Sequence, residues 1–139
     1  MKLNKKGFTL IEMLITIAIL AVLSLIAIPT VNSLIKRQQD NAIKEIIESV
    51  ETSALNYVKE NKWDLAWIKC SNTTDTDSED ITIKELVETD YLSQIPKNPK
   101  DQKEFDLENN NYYVKVTYNC QSKTFTVDSS NLEKELTNK

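Results

Sequence analysis

The sequence predicts an α+β fold: one long N-terminal α-helix, its distal half packed on a small antiparallel β-sheet, with a short second helix. Three observations carry that expectation. An apolar run gives way, within one unbroken helical pattern, to an amphipathic one. A period-2 alternation appears near the C-terminus. Between them lies a polar stretch with its own helix-start signal.

The first element begins near Thr9. Phe8 to Ile35 contains a single charge, Glu12, and the next charges are Lys36 and Arg37. Apolar residues lie on all sides of this part, as expected where a helix contacts lipid or other helices. Its length suits a membrane span of about 20 residues. From Lys36 the pattern becomes amphipathic. Ile43, Ile46, Ile47, Val50, Ala54, Tyr57 and Val58 recur at helical spacing, with Lys44, Glu45, Glu48, Glu51, Lys59 and Glu60 opposite. A helix from Thr9 to about Lys62 is on the order of 80 Å long at 1.5 Å per residue, more than a small domain can bury. Pro29 lies inside this pattern. It removes a backbone donor and crowds the preceding turn, so a kink or local melting is expected there.

Trp63, Trp67 and Ile68 follow and are expected to cap the core. Ser71 to Asp80 holds no apolar residue and four acids, which reads as an exposed acidic loop. A second helix is expected from Thr82 to about Tyr91 or Leu92. Thr82 with Glu85 fits a capping box, and Ile81 with Leu86 fits a hydrophobic staple. Pro96 and Pro99 bar further helix. Tyr112, Val114, Val116, Tyr118 and Cys120 then alternate with polar residues and predict a half-buried strand. Gln121 to Lys123 allow a turn, Thr124 to Val127 a partner strand, and Phe105 to Leu107 a third. The tail from Asn131 reads as a short helix or a frayed end.

Composition narrows the function. The chain has 139 residues, a net charge of −4, no histidine and one glycine. The missing histidine removes the commonest acid–base group and metal ligand. One glycine permits no Gly-rich phosphate loop. No catalytic residue, cofactor or metal is therefore expected. The acidic balance argues against nucleic-acid binding, which needs Lys and Arg to neutralise phosphates. Asp75, Asp77, Glu79 and Asp80 offer oxygens to calcium, but without the ligand pattern of a calcium hand. A solvated loop is the better reading. Cys70 and Cys120 are the only cysteines. In an exported protein they form a candidate disulfide; two free buried thiols are the alternative, because a sequence does not give their separation.

The N-terminus carries the most specific signal. Lys2, Lys5 and Lys6 precede Gly7, then Phe8, Thr9, Leu10, Ile11 and Glu12. The lysines favour a cytoplasmic N-terminus. A secretory signal would have a shorter apolar core and a small-residue cleavage site. A carboxylate inside a membrane-length apolar segment is costly and marks a functional site.

This junction, with the apolar stretch to Ile28 and Pro29, resembles the start of the type IV pilin family, which includes pseudopilins of type II secretion and competence (DNA uptake) systems. The resemblance covers roughly the first thirty residues and implies a pilin-like fold for the rest. It implies cleavage between Gly7 and Phe8 by a prepilin peptidase and N-methylation of Phe8. It gives Glu12 a role in subunit assembly, by pairing with the terminal amine of a neighbour, and makes Pro29 a flexible point. The organisation it implies is a leader at 1–7, a transmembrane and filament-core helix at 8–35 and a globular domain at 36–139. Implied partners are identical or related pilin subunits, the peptidase, an inner-membrane assembly platform, and the membrane before assembly. The implied location is the cytoplasmic membrane first and the surface pilus afterwards. The stretch Leu86, Tyr91-Leu92, Ile95-Pro96 and Asn98-Pro99 is similar to major pseudopilins, so a pseudopilin is the alternative to a pilus subunit. A membrane-anchored binding domain that does not polymerise is the second alternative.

Overall fold

The structure is a computed structural model that describes residues 8–62, 64–108 and 111–137. The leader with Gly7, and Trp63, lie outside the described residues. The element order is α1 (Leu10–Glu60), β1 (Thr76–Thr82), α2 (Ile83–Glu88), β2 (Tyr113–Asn119), β3 (Thr124–Asp128) and α3 (Ser130–Thr137). This is the expected α+β, pilin-like arrangement. The chain divides into two compact units, one up to Gln38 and one from Gln39.

In the first unit the chain is helical from Leu10 onward, and the helix continues through Pro29. The side chain of Pro29, where a kink or local melting is expected, lies outside the described residues. The large apolar side chains described along this stretch are all exposed, from Leu10 at 84% to Ile35 at 46%.

In the second unit the distal part of α1 supplies one wall of the core. Ile43, Val50, Ala54 and Val58 are buried, at the seven- and four-residue steps of a helix face. They share one apolar cluster with Ile81, Ile83 and Leu86, with Val114 and Val116 of β2, and with Leu132 and Leu136 of α3. Trp67 packs against this cluster from outside. The sheet has the order β1-β2-β3 and is antiparallel throughout. The alternation expected for β2 is present: Val114, Val116 and Tyr118 are buried, while Lys115 between them is exposed. Tyr118 pairs with Phe125 and Val116 with Val127, so β3 adds its two apolar side chains to the same face.

Two sequence expectations need correction. The acidic stretch is not wholly a loop. Thr76 to Thr82 forms β1, paired residue by residue with β2 from Thr76 opposite Asn119 to Thr82 opposite Tyr113. Its composition hides it, because β1 contributes only Ile81 to the core and is held by backbone bonds. Acidic side chains on an edge strand also blunt edge-to-edge pairing. Phe105 to Leu107, by contrast, is not the third strand. Phe105 is a buried plug whose ring stacks on Tyr112 at 4.8 Å. Its N–H goes to the Pro96 carbonyl, closing a reversal around buried Asn98. Asn98 exchanges backbone bonds with Lys103 and Gln102 and caps the Lys100 N–H with its side chain.

The second helix starts where expected and stops early. Thr82 is its N-cap, with an extended backbone and a hydroxyl that accepts the Glu85 N–H at 3.2 Å. It ends at Glu88 rather than Tyr91 because Asp90 turns left-handed, at φ 61°, and the Leu92 N–H folds back to the Leu86 carbonyl. That return buries Leu92. Cys70, Gln102 and Lys123 also have positive φ. With its one glycine at position 7, the chain places residues with a Cβ where glycine is cheapest. Asp90 is exposed and its side chain caps nothing among the described residues, so Asp90→Gly is expected to stabilise the protein by about 0.5–1 kcal/mol. A higher denaturant midpoint in detergent solution is the readout; an unchanged or lower one counts against strain at Asp90.

Candidate functional site

The site begins at the start of α1. Phe8 is exposed and precedes the helix, and Thr9 occupies the N-cap position. The Thr9 hydroxyl accepts the Glu12 N–H at 3.3 Å, and the Glu12 carboxylate accepts the Thr9 N–H at 3.4 Å. This is a reciprocal capping box, satisfying two donors that a helix start leaves unpaired. Both bonds are long, so the carboxylate is held loosely. This capping role of Glu12 was not among the sequence expectations, although Thr-x-x-Glu at a helix start is its signal.

Glu12 therefore sits in the first turn, where a negative charge also favours the helix dipole. It stands among exposed Leu10, Ile11, Met13 and Leu14. A carboxylate on an apolar surface with a weak local partner is suited to a stronger, external cation. Further along, Thr16 donates to the Met13 carbonyl at 2.8 Å, Ser24 to Leu20 at 2.7 Å and Ser33 to Thr30 at 2.8 Å. Each hydroxyl is thus satisfied within its own helix, as a lipid environment requires.

In the second unit, Cys70 and Cys120 form a disulfide with Cα atoms 5.6 Å apart, closing a sequence separation of 50. Cys120 follows β2, and Cys70 lies in the segment after α1, at φ 39°. Asp77 of β1 fixes this turn: its carboxylate accepts the N–H groups of Lys69 at 2.8 Å and Cys70 at 2.9 Å. The bond from Cys70, then that from Lys69, holds the Asp77 carboxyl below its ordinary pKa. Cys70, Asp77 and Cys120 lie close together, but sulfurs bonded to each other offer no thiolate to a metal. The acids considered for calcium do not converge. Asp75 accepts the Asn72 N–H, Asp77 is committed to the disulfide turn, and Glu79 and Asp80 point to opposite faces of β1.

A second polar cluster joins α1 to α2. The Tyr57 hydroxyl donates to Glu85 at 2.8 Å, and Tyr91 donates to Glu60 at 2.6 Å while accepting from Asn61 at 3.0 Å. The two rings meet edge to face at 5.3 Å. Glu85 spends its carboxylate on Tyr57, which replaces the returning half of the capping box expected at Thr82. Burial, then the bond to Glu85, pushes the Tyr57 phenol up to about 12. The folded pKa is raised, so this contribution to stability is complete below pH 10 and is lost as pH rises through about 12. A spectrophotometric titration should show one phenol ionising near 12 that disappears in Tyr57→Phe. A wild-type curve with all phenols near 10 would contradict the buried pair.

Residues 2–28 match the family model of the prokaryotic N-terminal methylation motif. Over 73 residues the chain is 36% identical to the type IV major fimbrial protein FimA of Dichelobacter nodosus, covering 50% of this chain and 46% of that protein. The match thus spans about half the length of that relative. No solved structure matches significantly.

Proposed function

We infer that this chain, which belongs by its N-terminal motif to the type IV pilin and pseudopilin family, is a structural subunit of a type IV pilus. The carrying observation is Glu12, a single carboxylate near the start of an exposed apolar helix, four residues after Phe8 and five after Gly7. The leader, 1–7, is removed after Gly7 by a prepilin peptidase, and Phe8 becomes the methylated N-terminus. Before assembly, 8–35 spans the cytoplasmic membrane and 36–139 lies outside. An assembly platform then delivers the subunit into a filament in which helices of neighbouring subunits cover the apolar surface. Glu12 changes partner there, from the Thr9 N–H to the amine of an adjacent Phe8. Methylation leaves that amine basic, so the charge pair survives. Surface adhesion, motility or biofilm formation are the roles such a filament serves. The chain carries structure rather than catalysis.

A pseudopilin of a secretion or competence system is the second reading. The observation favouring it is the segment after α2, where Tyr91-Leu92 leads to Pro96 and Pro99.

Intact-mass and N-terminal analysis of surface-exposed protein tests the processing. The expected chain begins at Phe8 with one added methyl group, and electron microscopy of the same cells shows filaments containing it. Recovery of a mature chain that still holds Met1 to Gly7, with no filaments, would identify a plain membrane anchor.

A further inference from the structure

We propose that Asn72 is an acceptor for N-linked glycosylation, taking an oligosaccharide from a lipid-pyrophosphate donor on the outer side of the membrane. The inference rests on the export proposed above, because that is where such a donor would meet residue 72.

Asn72-Thr73-Thr74 has the form Asn-x-Thr, with no proline at x, and no other asparagine in the chain has Ser or Thr two positions on. A three-residue pattern means little where it is buried or locked in a ladder. Here it is neither. Ser71, Asn72, Thr73 and Thr74 are all exposed, in the turn between the disulfide and β1. The backbone of the turn is held from within: the Asn72 N–H donates to the Asp75 carboxylate at 2.8 Å, and the Asn72 carbonyl accepts the Asp75 N–H at 3.2 Å. Those bonds use main-chain atoms of Asn72 only. Its side-chain amide and the Thr74 hydroxyl, the two groups a transferase reads, have no partner among the described residues. Cys70, bridged to Cys120, anchors the turn two residues upstream. The acceptor is thus presented on a fixed base, clear of the sheet's hydrogen bonds.

The chemistry balances without an oxidant. Asn72 Nδ2 attacks the anomeric carbon of the donor sugar and the Nδ2–C1 bond forms. The C1–O bond to the pyrophosphate breaks, its electron pair leaving with the lipid pyrophosphate. The amide proton passes to a base of the transferase. The product is a bulky, hydrophilic cover over the turn beside β1.

The test is peptide and intact-mass spectrometry of the full-length protein recovered from the surface of its own host cells. The expected result is a glycan mass on the peptide containing Asn72, lost in Asn72→Gln and Thr74→Ala and kept in Thr74→Ser and Thr73→Ala. All three positions are exposed, and an intact Cys70–Cys120 bridge in each of the four variants shows that the fold is kept. A bare Asn72 on a surface chain that begins at Phe8 overturns this proposal and leaves the pilus reading standing. A bare Asn72 on a chain that keeps its leader overturns both. A glycan that persists in Asn72→Gln places the modification on a hydroxyl and also overturns it.

Discussion

Glu12→Ala is expected to abolish filament assembly while leaving subunit levels, membrane insertion and leader cleavage near normal. Removing a charge from an apolar span makes insertion more favourable. The second unit, from Gln39, contains none of the residues affected. What is lost is the attraction that fixes an incoming helix against a neighbour's amine. Breaking a buried charge pair costs about 3–5 kcal/mol, roughly a hundredfold or more in the equilibrium for adding a subunit. The capping box makes a second variant informative. Glu12→Gln keeps a side chain that accepts the Thr9 N–H but carries no charge. If the pair drives assembly, Gln fails like Ala; if helix capping is what matters, Gln rescues. Glu12→Asp should be partly defective, since its carboxylate reaches less far. Filament counts by electron microscopy, at matched subunit levels, decide between these. Wild-type assembly by Glu12→Ala would end the ion-pair account for this protein.

The next largest effect is expected from the disulfide. Cys70 and Cys120 close a loop across a sequence separation of 50, for which chain entropy alone gives a stabilisation of about 4 kcal/mol. The loop encloses β1, α2 and β2, so its opening also frees the turn that Asp77 holds. Reduction, or the double change Cys70→Ser and Cys120→Ser, should lower the denaturant midpoint sharply and expose the segment around β1 to protease before the rest. An unchanged midpoint under reducing conditions would show that the bridge adds nothing to the packing of β2 against α1.

The sequence displayed what repeats and concealed what occurs once. α1 and β2 were legible because each carries a hydrophobic period over many residues. The Thr82 cap was legible because one hydroxyl at the right spacing suffices. β1 was not, since Asp77, Glu79 and Asp80 outweigh Ile81 in composition while the strand is built from backbone bonds. Phe105 misled in the other direction: an apolar residue between polar ones looks like a strand, but here it fills a hole beside Tyr112. The early end of α2 depends on Asp90 accepting a left-handed backbone, a role a reader assigns to glycine. At the candidate site, a lone charge in an apolar run points outward, to a partner in another subunit. Its local bond to Thr9, three residues away, is hidden behind that charge.

The hydroxyls of Thr16, Ser24 and Ser33 carry a consequence for how such a helix changes surroundings. Each is already bonded to a carbonyl of its own helix. Moving the helix from lipid tails to a bundle of like helices therefore exchanges one apolar neighbourhood for another and breaks none of these bonds. On the pilus reading, the two media differ for this helix chiefly in what they offer the Glu12 carboxylate and the exposed Asn32 amide. On that reading Glu12 is the one charge whose pairing separates the two. A subunit built this way stays reversible between the two phases, since neither holds it by a polar network that must be dismantled.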